Sequence, residues 1–189
     1  MKTEIKIIKA LLEGKEGHTI REIAKLTGAD YRIVHEAVSR LLKKGLVDKR
    51  QVGKAVEITF SNKFSKEVFE AETEKAEGLL KDKNIKVLYE KLGALSFQLT
   101  ALIFGSYAKG KAGKGSDIDL MVICGEEEEK QVESLVHTLP LNIHLTTLTT
   151  TDFVKMAKSK EFNVVNEAIK NSIILIGIEN YYRLVGNAK

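Results

Sequence analysis

The feature that most restricts the fold of this chain is an ordered run of residues joining two apolar segments. The first segment ends at residue 104 and is followed at once by Gly105-Ser106; ten residues later comes Asp117-Ile118-Asp119, which opens the second apolar segment. Short apolar runs bounded by glycine and polar residues are typical of buried β-strands. The sequence therefore predicts strands over residues 97–104 and 117–124, with a glycine-serine turn between them that begins a short helix.

The two aspartates have the chemistry of a metal site. Residues i and i+2 of a strand point to the same face, so Asp117 and Asp119 should project together while Ile118 and Leu120 point into the core. Carboxylate oxygens are the ligands that Mg²⁺ prefers, and a pair of divalent cations clamps the attacking and leaving oxygens in phosphoryl transfer. A Gly-Ser turn that opens a helix offers backbone N–H groups and a hydroxyl to phosphate.

In this order and spacing, the motif resembles the polymerase-beta-type nucleotidyltransferase superfamily, especially its minimal nucleotidyltransferases, over residues 84–189. The resemblance implies that Gly105 and Ser106 form a phosphate-binding turn and that Ser116 belongs to the nucleotide site. It implies that Asp117 and Asp119 are the catalytic metal ligands, with Mg²⁺ or Mn²⁺ as cofactor. The nearby lysines offer contacts to phosphate or to an acidic partner, although each one taken singly is more often a solvated loop residue; they are Lys109, Lys111 and Lys114.

One position departs from the pattern of this superfamily. Active members usually carry a third carboxylate on a later strand, which here is predicted over residues 139–148. The face of that strand opposite the core carries Asn142, His144 and Thr146, and no acid. Asn and His can ligate a metal, although neither supplies a carboxylate's charge. We expect His144 to be an ordinary half-buried strand histidine rather than a base. The nearest acids by type are Glu57 and Asp152.

The remainder of the second half alternates between helical and strand patterns. Helices are predicted over residues 85–92, 126–137 and 179–185, and a further helix is expected to have Thr151 as its N-cap. Residues 173–176 form another short apolar segment. Such alternation gives an α/β (α+β) fold class, in which a polymerase-beta-like domain has a small mixed sheet flanked by helices.

The first third of the chain has the pattern of three helices and a hairpin. The first helix is predicted to end at Gly14; the second begins at Thr19, which forms a capping box with Glu22, and ends at Gly28. A third helix over residues 29–45 precedes two short strands around a turn. This arrangement resembles winged helix-turn-helix domains. The resulting division is a winged helix-turn-helix domain at 1–62, a charged helical linker at 63–83 and a nucleotidyltransferase-like domain at 84–189.

The charge distribution indicates that the first third meets a polyanion. Residues 1–60 carry 13 Lys and Arg against 8 Asp and Glu, whereas residues 61–189 carry 17 against 18. The resemblance implies DNA or RNA binding, in which the third helix enters the major groove and the wing contacts phosphates. A solvated surface that serves protein contacts or dimerisation is the alternative. The expected nucleic-acid-binding residues are Tyr31, Arg32, His35, Ser39 and Arg40 on the helix and Lys49, Arg50 and Lys54 on the wing.

Two functions follow from these motifs. The first is an enzyme that transfers a nucleoside monophosphate from an NTP to a hydroxyl of a protein, an RNA or a small molecule. Some minimal nucleotidyltransferases are antitoxins that adenylylate a toxin, which makes a toxin one candidate acceptor. The second is a DNA-binding regulator whose degenerate nucleotidyltransferase domain senses nucleotide. A weaker alternative makes both domains protein-interaction modules.

Other features of the sequence indicate where in the cell the protein is expected to act. No apolar run has the roughly 18 residues that a transmembrane helix needs, and the first residues lack the apolar core of a signal peptide. Cys124 is the single cysteine, which fits the reducing cytoplasm. We therefore expect a cytoplasmic protein without a membrane partner. Because winged-helix proteins that bind DNA are often dimers, a homodimer is an open expectation.

Overall fold

The chain divides into two compact units, Met1–Glu72 and Thr73–Lys189. The structure is a computed structural model that describes residues 2–13, 17–113, 115–159 and 161–188. Gly14, the predicted end of the first helix, and Lys114, a predicted phosphate contact, lie outside these residues. Across the described ranges, no helix is long and apolar enough to span a membrane.

Three helices begin the first unit, and local sequence signals fix the second of them. The helices are α1 (Thr3–Glu13), α2 (Ile20–Thr27) and α3 (Tyr31–Lys43). The predicted capping box is present, because Thr19 Oγ1 accepts from the N–H of Glu22 at 3.3 Å and Glu22 Oε2 accepts from the N–H of Thr19 at 2.7 Å. Gly28 ends α2 with φ at 64°, a left-handed conformation that glycine adopts without steric cost.

The α3 helix buries one face against α1 and α2. Val34, Ala37, Val38 and Leu41 are fully buried at helical spacing. Of the two alternatives for the start of this face, Val34 is inside, whereas Ile33 is 50% exposed. Apolar side chains of α1 complete the core from the other side, and the fully buried ones are Ile7, Ile8 and Leu11.

The predicted hairpin follows α3 as two antiparallel strands. They are β1 (Val47–Val52) and β2 (Ala55–Phe60), paired in the register Val47 with Phe60 through Val52 with Ala55. His18 adds one bridge, since its N–H and C=O bond to the C=O and N–H of Ile58 at 3.0 and 2.8 Å. Helix α4 (Lys66–Leu79) comes next, in the stretch predicted as a charged linker, and the division between the two units falls within it.

The second unit contains a four-stranded mixed sheet in the order β5-β4-β3-β6. Strand β3 is antiparallel to both β4 and β6, and β4 is parallel to β5. The predicted fold class, a mixed α+β domain with helices around a small mixed sheet, is thereby confirmed. The strands are β3 (Thr100–Phe104), β4 (Ile118–Ile123), β5 (Ile143–Leu148) and β6 (Ser172–Ile176).

Helices cover both faces of this sheet. Helices α5 (Lys83–Gly93) and α7 (Glu129–His137) pack on one face, where Leu88 and Val132 join Ile103, Leu120 and Val122 in a buried cluster. On the other face α9 and α10 contact β3, and α8 contacts both of these helices. A single turn, α6, follows β3. The remaining bounds are α6 Gly105–Ala108, α8 Thr150–Lys158, α9 Val164–Lys170 and α10 Ile178–Asn187.

Several element ends differ from the sequence prediction. The N-cap of α8 is Thr149 rather than Thr151, because Thr149 Oγ1 accepts from the N–H of Asp152 at 3.1 Å and donates to its carboxylate at 2.7 Å. Three consecutive threonines each offer a hydroxyl, and the acid three residues after Thr149 selects the first. Strands β3 and β5 begin three and four residues later than predicted, whereas β4 begins only one residue later. Helix α9 was not predicted from the sequence.

The ion pair between Lys44 and Glu67 makes the first unit sensitive to acid. The hydrogen bond and charge of Lys44 lower the pKa of the Glu67 carboxyl to about 2, and Glu67 raises the pKa of Lys44. A carboxyl with a lowered pKa stabilises the fold above its unfolded pKa near 4.5, and the contribution is lost as pH falls towards 2.

We expect Glu67→Gln to lower the free energy of unfolding at pH 7, with a difference from the parent that shrinks between pH 4.5 and 2. Urea unfolding across this range measures it, and Glu70→Gln is the matched control; a difference independent of pH would contradict the assignment.

Candidate functional site

The candidate site lies at one edge of the sheet, where chain direction brings distant segments together. Because β3 is antiparallel to β4 and β6 while β4 and β5 are parallel, β3 ends where the other three strands begin. Phe104 at the end of β3 is paired with Asp119 in β4 and with Ser172 in β6. The Gly105-Ser106 turn and the aspartate pair, which are separated by ten residues in sequence, therefore meet at this edge.

The alternation expected for β4 is present. Ile118 and Leu120 are buried at 3% and 0% exposure, whereas Asp117 is exposed and Asp119 is partly exposed. Two apolar residues on the core side hold the strand in register, which leaves the two carboxylates on the opposite side.

Gly105 lies directly against the Asp119 carboxylate. Its φ is 67°, in the left-handed region, and a Cβ built on it would overlap Asp119 Oδ2 far inside van der Waals contact. Both the backbone conformation and the space therefore require glycine at this position. The following turn, α6, is closed by bonds from the N–H of Lys109 to the C=O of Gly105 at 3.2 Å and from the N–H of Lys111 to the C=O of Ser106 at 2.9 Å.

Each aspartate has a partner on β5 or directly before it. Asp119 is register partner to His144, and the N–H of Ile118 donates to the C=O of Asn142 at 2.9 Å. The Asn142 side-chain amide donates to Asp117 Oδ1. His144 Nδ1 lies 3.4 Å from Asp119 Oδ1. An amide and an imidazole thus face the two carboxylates from the strand on which the superfamily usually places its third acid.

The expectation that His144 is half-buried is wrong. Its side chain is 76% exposed, because β5 lies at the sheet edge and position 144 points away from the core towards Asp119. Both acids considered as substitute ligands have other partners. Glu57 accepts from Arg50 Nη2 at 3.0 Å in the first unit, and Asp152 bonds to Thr149, the N-cap of α8. Among the residues with described positions, no three His, Cys, Asp or Glu side chains converge as a metal-binding group.

Three further predicted nucleotide contacts lie around the turn. Ser106 is partly exposed at the start of α6. Ser116 Oγ accepts from the N–H of Gly113 at 2.9 Å, which closes the loop that precedes Asp117. Lys109 Nζ is 3.4 Å from Glu167 Oε1 on α9, a pairing that nothing in the local sequence indicates because 58 residues separate the partners.

Cys124 has no nucleophilic character. It is 5% exposed at the end of β4, and burial, with Glu129 and Glu128 nearby, raises the pKa of its thiol to about 11. The thiol is therefore protonated at neutral pH, when a nucleophile would need the thiolate.

The predicted nucleic-acid contacts of the first unit fall into two groups. Arg40 Nε bonds to Glu4 at 2.8 Å, which lowers the pKa of the Glu4 carboxyl, and Arg50 bonds to Glu57. Ser39 is partly buried and its hydroxyl donates to the C=O of His35 at 2.9 Å. The other predicted residues are exposed side chains, and they are Tyr31, Arg32, His35, Lys49 and Lys54.

The outward face of α3 also contains residues that the sequence analysis did not select. Ile33, Glu36 and Lys43 are exposed on it, and Glu36 and Lys43 are at helical spacing from Arg32. The separation by four residues between Arg32 and Glu36 was the available signal. The face therefore carries charges of both signs beside an apolar side chain.

Comparison with known families matches two parts of the chain. A family model described as "Polymerase beta, Nucleotidyltransferase" matches residues 83–180, more than half of the chain. The chain belongs to this nucleotidyltransferase family, which indicates nucleotidyl transfer in general. A second model, described as HVO_A0114, matches residues 2–63. No curated protein and no solved structure matches the chain.

The contact between Gly105 and Asp119 gives a direct test of the site geometry. Gly110 has nearly the same φ, 64°, with nothing within 4 Å of a built Cβ. Gly110→Ala should cost only the backbone strain, about 1 kcal/mol. Gly105→Ala should cost a further 1–3 kcal/mol or so, because the added methyl displaces the Asp119 carboxylate. Urea unfolding of both variants measures the difference, and equal losses would show that the two groups are not in contact.

Proposed function

We propose that this protein transfers a nucleoside monophosphate from an NTP to an acceptor hydroxyl. The observation that carries the proposal is the meeting of the Gly105 turn and the Asp117–Asp119 pair at one sheet edge, in a chain that belongs to the nucleotidyltransferase family. Membership in the family supports the class of reaction, and the placement of these residues supports the site.

The donor set at this edge fits a divalent cation. Two carboxylates at the start of β4 supply hard oxygen ligands, and the absence of a side chain on Gly105 leaves room for the Asp119 carboxylate beside the turn. In this proposal Asp117 and Asp119 would hold Mg²⁺ or Mn²⁺. Such an ion, when bound, neutralises phosphate charge and stabilises the negative charge that develops during transfer.

The other residues of the edge bind and orient the substrate. Gly105 allows a phosphate to approach the backbone, and the Ser106 hydroxyl donates a hydrogen bond to it. Asn142 holds Asp117 in place through its amide. Ser116 contributes indirectly, because its hydroxyl accepts from the N–H of Gly113 and so holds the loop before Asp117. Lys109 reaches phosphate only in competition with Glu167, so its contribution depends on exchanging that exposed ion pair.

The first unit is proposed to bind DNA or RNA. Its support is the basic excess of residues 1–60 together with the exposed Arg32, His35, Lys49 and Lys54 on the third helix and the hairpin. In this reading α3 is the helix of a winged helix-turn-helix domain that enters the major groove. The acceptor of the nucleotidyl group is then an RNA, a small molecule or a protein such as a toxin. The protein would act in the cytoplasm, and a homodimer would present two binding helices.

A second function is favoured by a specific observation. The position on β5 opposite Asp119 holds an imidazole in place of an acid, which removes a negative charge from the site. A weaker site can bind a nucleotide without turning it over. The protein would then be a regulator whose affinity for DNA changes with bound nucleotide.

Substitution of the metal ligands separates the two functions. In the enzyme reading, Asp117→Asn and Asp119→Asn should each reduce transfer at least about a hundredfold, because each removes a charge that the reaction needs. The measurement is covalent labelling of protein, RNA or small-molecule acceptors by each of four labelled NTPs. Asp48→Asn, an exposed change on β1, is the matched control and should keep the parent activity.

The outcomes of this labelling experiment differ for the two readings. If the parent protein labels no acceptor with any NTP and metal, catalysis is excluded and the regulator remains as the proposed function. Label that survives Asp117→Asn would exclude the assigned site.

Binding of nucleic acid is tested by its dependence on salt. Each phosphate contact contributes about 0.9 to the slope of log K against log salt concentration. Arg32→Ala should therefore reduce the slope by about 1, whereas Arg40→Ala should change it less, because Glu4 already binds that guanidinium. Fluorescence anisotropy with duplex DNA and with RNA measures the slopes, and Lys86→Ala on α5 is the control. Identical slopes for all four proteins would refute the proposed surface.

A further inference from the structure

Strand β5 is an open edge of the sheet in the second unit. The sheet has the order β5-β4-β3-β6, so among the described strands β5 has a neighbour on one side only. The N–H of Ile118 bonds to the C=O of Asn142 at 2.9 Å, and the N–H of Cys124 bonds to the C=O of Leu148 at 3.1 Å. The even-numbered residues of β5 therefore bond to β4. The residues that turn their N–H and C=O groups outward are Ile143, Leu145 and Thr147.

The two edges of this sheet differ in how they are protected. Natural edge strands usually carry a bulge, a proline or a lysine that prevents pairing with a further strand. The pairing of β6 with β3 has a register shift between Ala101 and Leu102, and Lys75 Nζ donates to the C=O of Ser172 at 3.1 Å at the start of β6. By contrast, β5 pairs with β4 without a shift and contains no Lys, Arg, Asp, Glu or Pro. The β5 edge is thus the one that can accept another strand.

An apolar groove lies beside this edge, between β5 and α7. Its volume is about 310 Å³. Apolar side chains form most of its lining, and they are Val136, Leu139, Leu141, Ile143 and Leu145. The four that precede or belong to β5 are only partly buried, although they pack against the core of the unit. Partly exposed apolar side chains next to outward backbone groups are what an added strand would cover.

We propose that this edge binds a second copy of the chain, with the two β5 strands antiparallel across a two-fold axis at Leu145. The inference goes beyond the proposed function and does not depend on it. Around this axis Leu145 pairs with Leu145 of the second copy, and Ile143 pairs with Thr147 of the second copy. These are the residues whose N–H and C=O groups point outward, so the paired residues exchange hydrogen bonds in the antiparallel pattern.

The composition of this segment favours a second copy over a different protein. Residues 138–151 contain no Lys, Arg, Asp or Glu, so two copies meet without like charges opposite each other. Charges that would select a different partner are missing from the same segment. A two-fold axis perpendicular to the sheet also keeps equivalent faces on one side, so Ile143 and Leu145 of each copy lie on the groove side of the other. The segment is therefore complementary to itself in both charge and apolar pattern.

This pairing brings the two candidate sites onto one surface. The face that carries Asp119 and His144 is on the same side of the sheet in both copies. Two β5 strands separate the two β4 strands, which places the β4 strands about 14 Å apart, three times the spacing of neighbouring strands. Thr146 of the second copy lies opposite His144, whose side chain is 76% exposed in the single chain. The second copy thus contributes a residue beside the candidate site.

Charged substitutions at the axis test the pairing. The parent chain should sediment as a dimer, and Leu145→Lys and Leu145→Glu should each raise the dissociation constant of the dimer at least about tenfold, because each places like charges together at the axis. An equal mixture of the two variants should form dimers again, since Lys then faces Glu. Val87→Lys, at an exposed apolar position on α5, is the matched control and should remain dimeric.

A cysteine at the axis tests the register directly. Hydrogen-bonded antiparallel residues have Cα atoms about 5.5 Å apart, which is within the range of a disulfide. Leu145→Cys should therefore give a disulfide-linked dimer under mild oxidation, whereas Val87→Cys should not. Cys124 does not interfere, because it is buried in the core. Thermal unfolding under reducing conditions checks that each variant keeps the fold, and Leu145→Cys decides the matter if the charged variants do not fold.

Several results would overturn the inference. They are a parent chain that sediments as a monomer at every concentration, charged variants that dimerise as strongly as the parent, a mixture that stays monomeric, or the absence of a Leu145→Cys crosslink. A dimer that persists in the folded Leu145→Lys variant would place the contact elsewhere in the chain. These measurements are made without nucleotide or acceptor, so their failure leaves the proposed transfer reaction to its own labelling experiment.

Discussion

The antiparallel pairing of β3 with β4 is the constraint on which the candidate site depends. It places the end of one strand beside the start of the other, so that Phe104 faces Asp119 and Gly105 touches its carboxylate. The pairing is maintained by buried side chains on both faces, among them Leu102, Ile103 and Leu120. A slip of one residue would turn the aspartates towards the core, and burial of unpaired charge would oppose it.

Two carboxylates on one strand face repel each other unless something compensates their charge. In this chain Asn142, directly before β5, supplies an amide to Asp117, and His144 on β5 supplies an imidazole to Asp119. These contacts of the two aspartates bear on both proposed functions, the enzyme and the regulator. An added acid would bring a third negative charge to this edge of the sheet, whereas an amide and a neutral imidazole bring none. The chemistry of this protein therefore depends on how β5 meets β4.

Electrostatic pairing also limits the basic surface of the first unit. The excess of positive residues in the first third is real, but Arg40 and Arg50 are each bonded to an acid of their own unit. Nucleic acid would have to compete with these acids for the guanidinium groups. The exposed Arg32, Lys49 and Lys54 are consequently stronger candidates for phosphate contacts than the overall charge count indicates.

The sequence by itself determined what local interactions control. The capping box at Thr19, the left-handed Gly28 and the alternation around Asp119 were all predicted and are present, since each depends on neighbours a few residues away. Only the tertiary structure decided which distant groups meet, such as Asn142 with Asp117, Glu167 with Lys109 and Glu4 with Arg40. It also decided that His144 is exposed. These partners lie 25–58 residues apart, and their contact results from strand register and helix packing, for which a linear pattern contains no local signal.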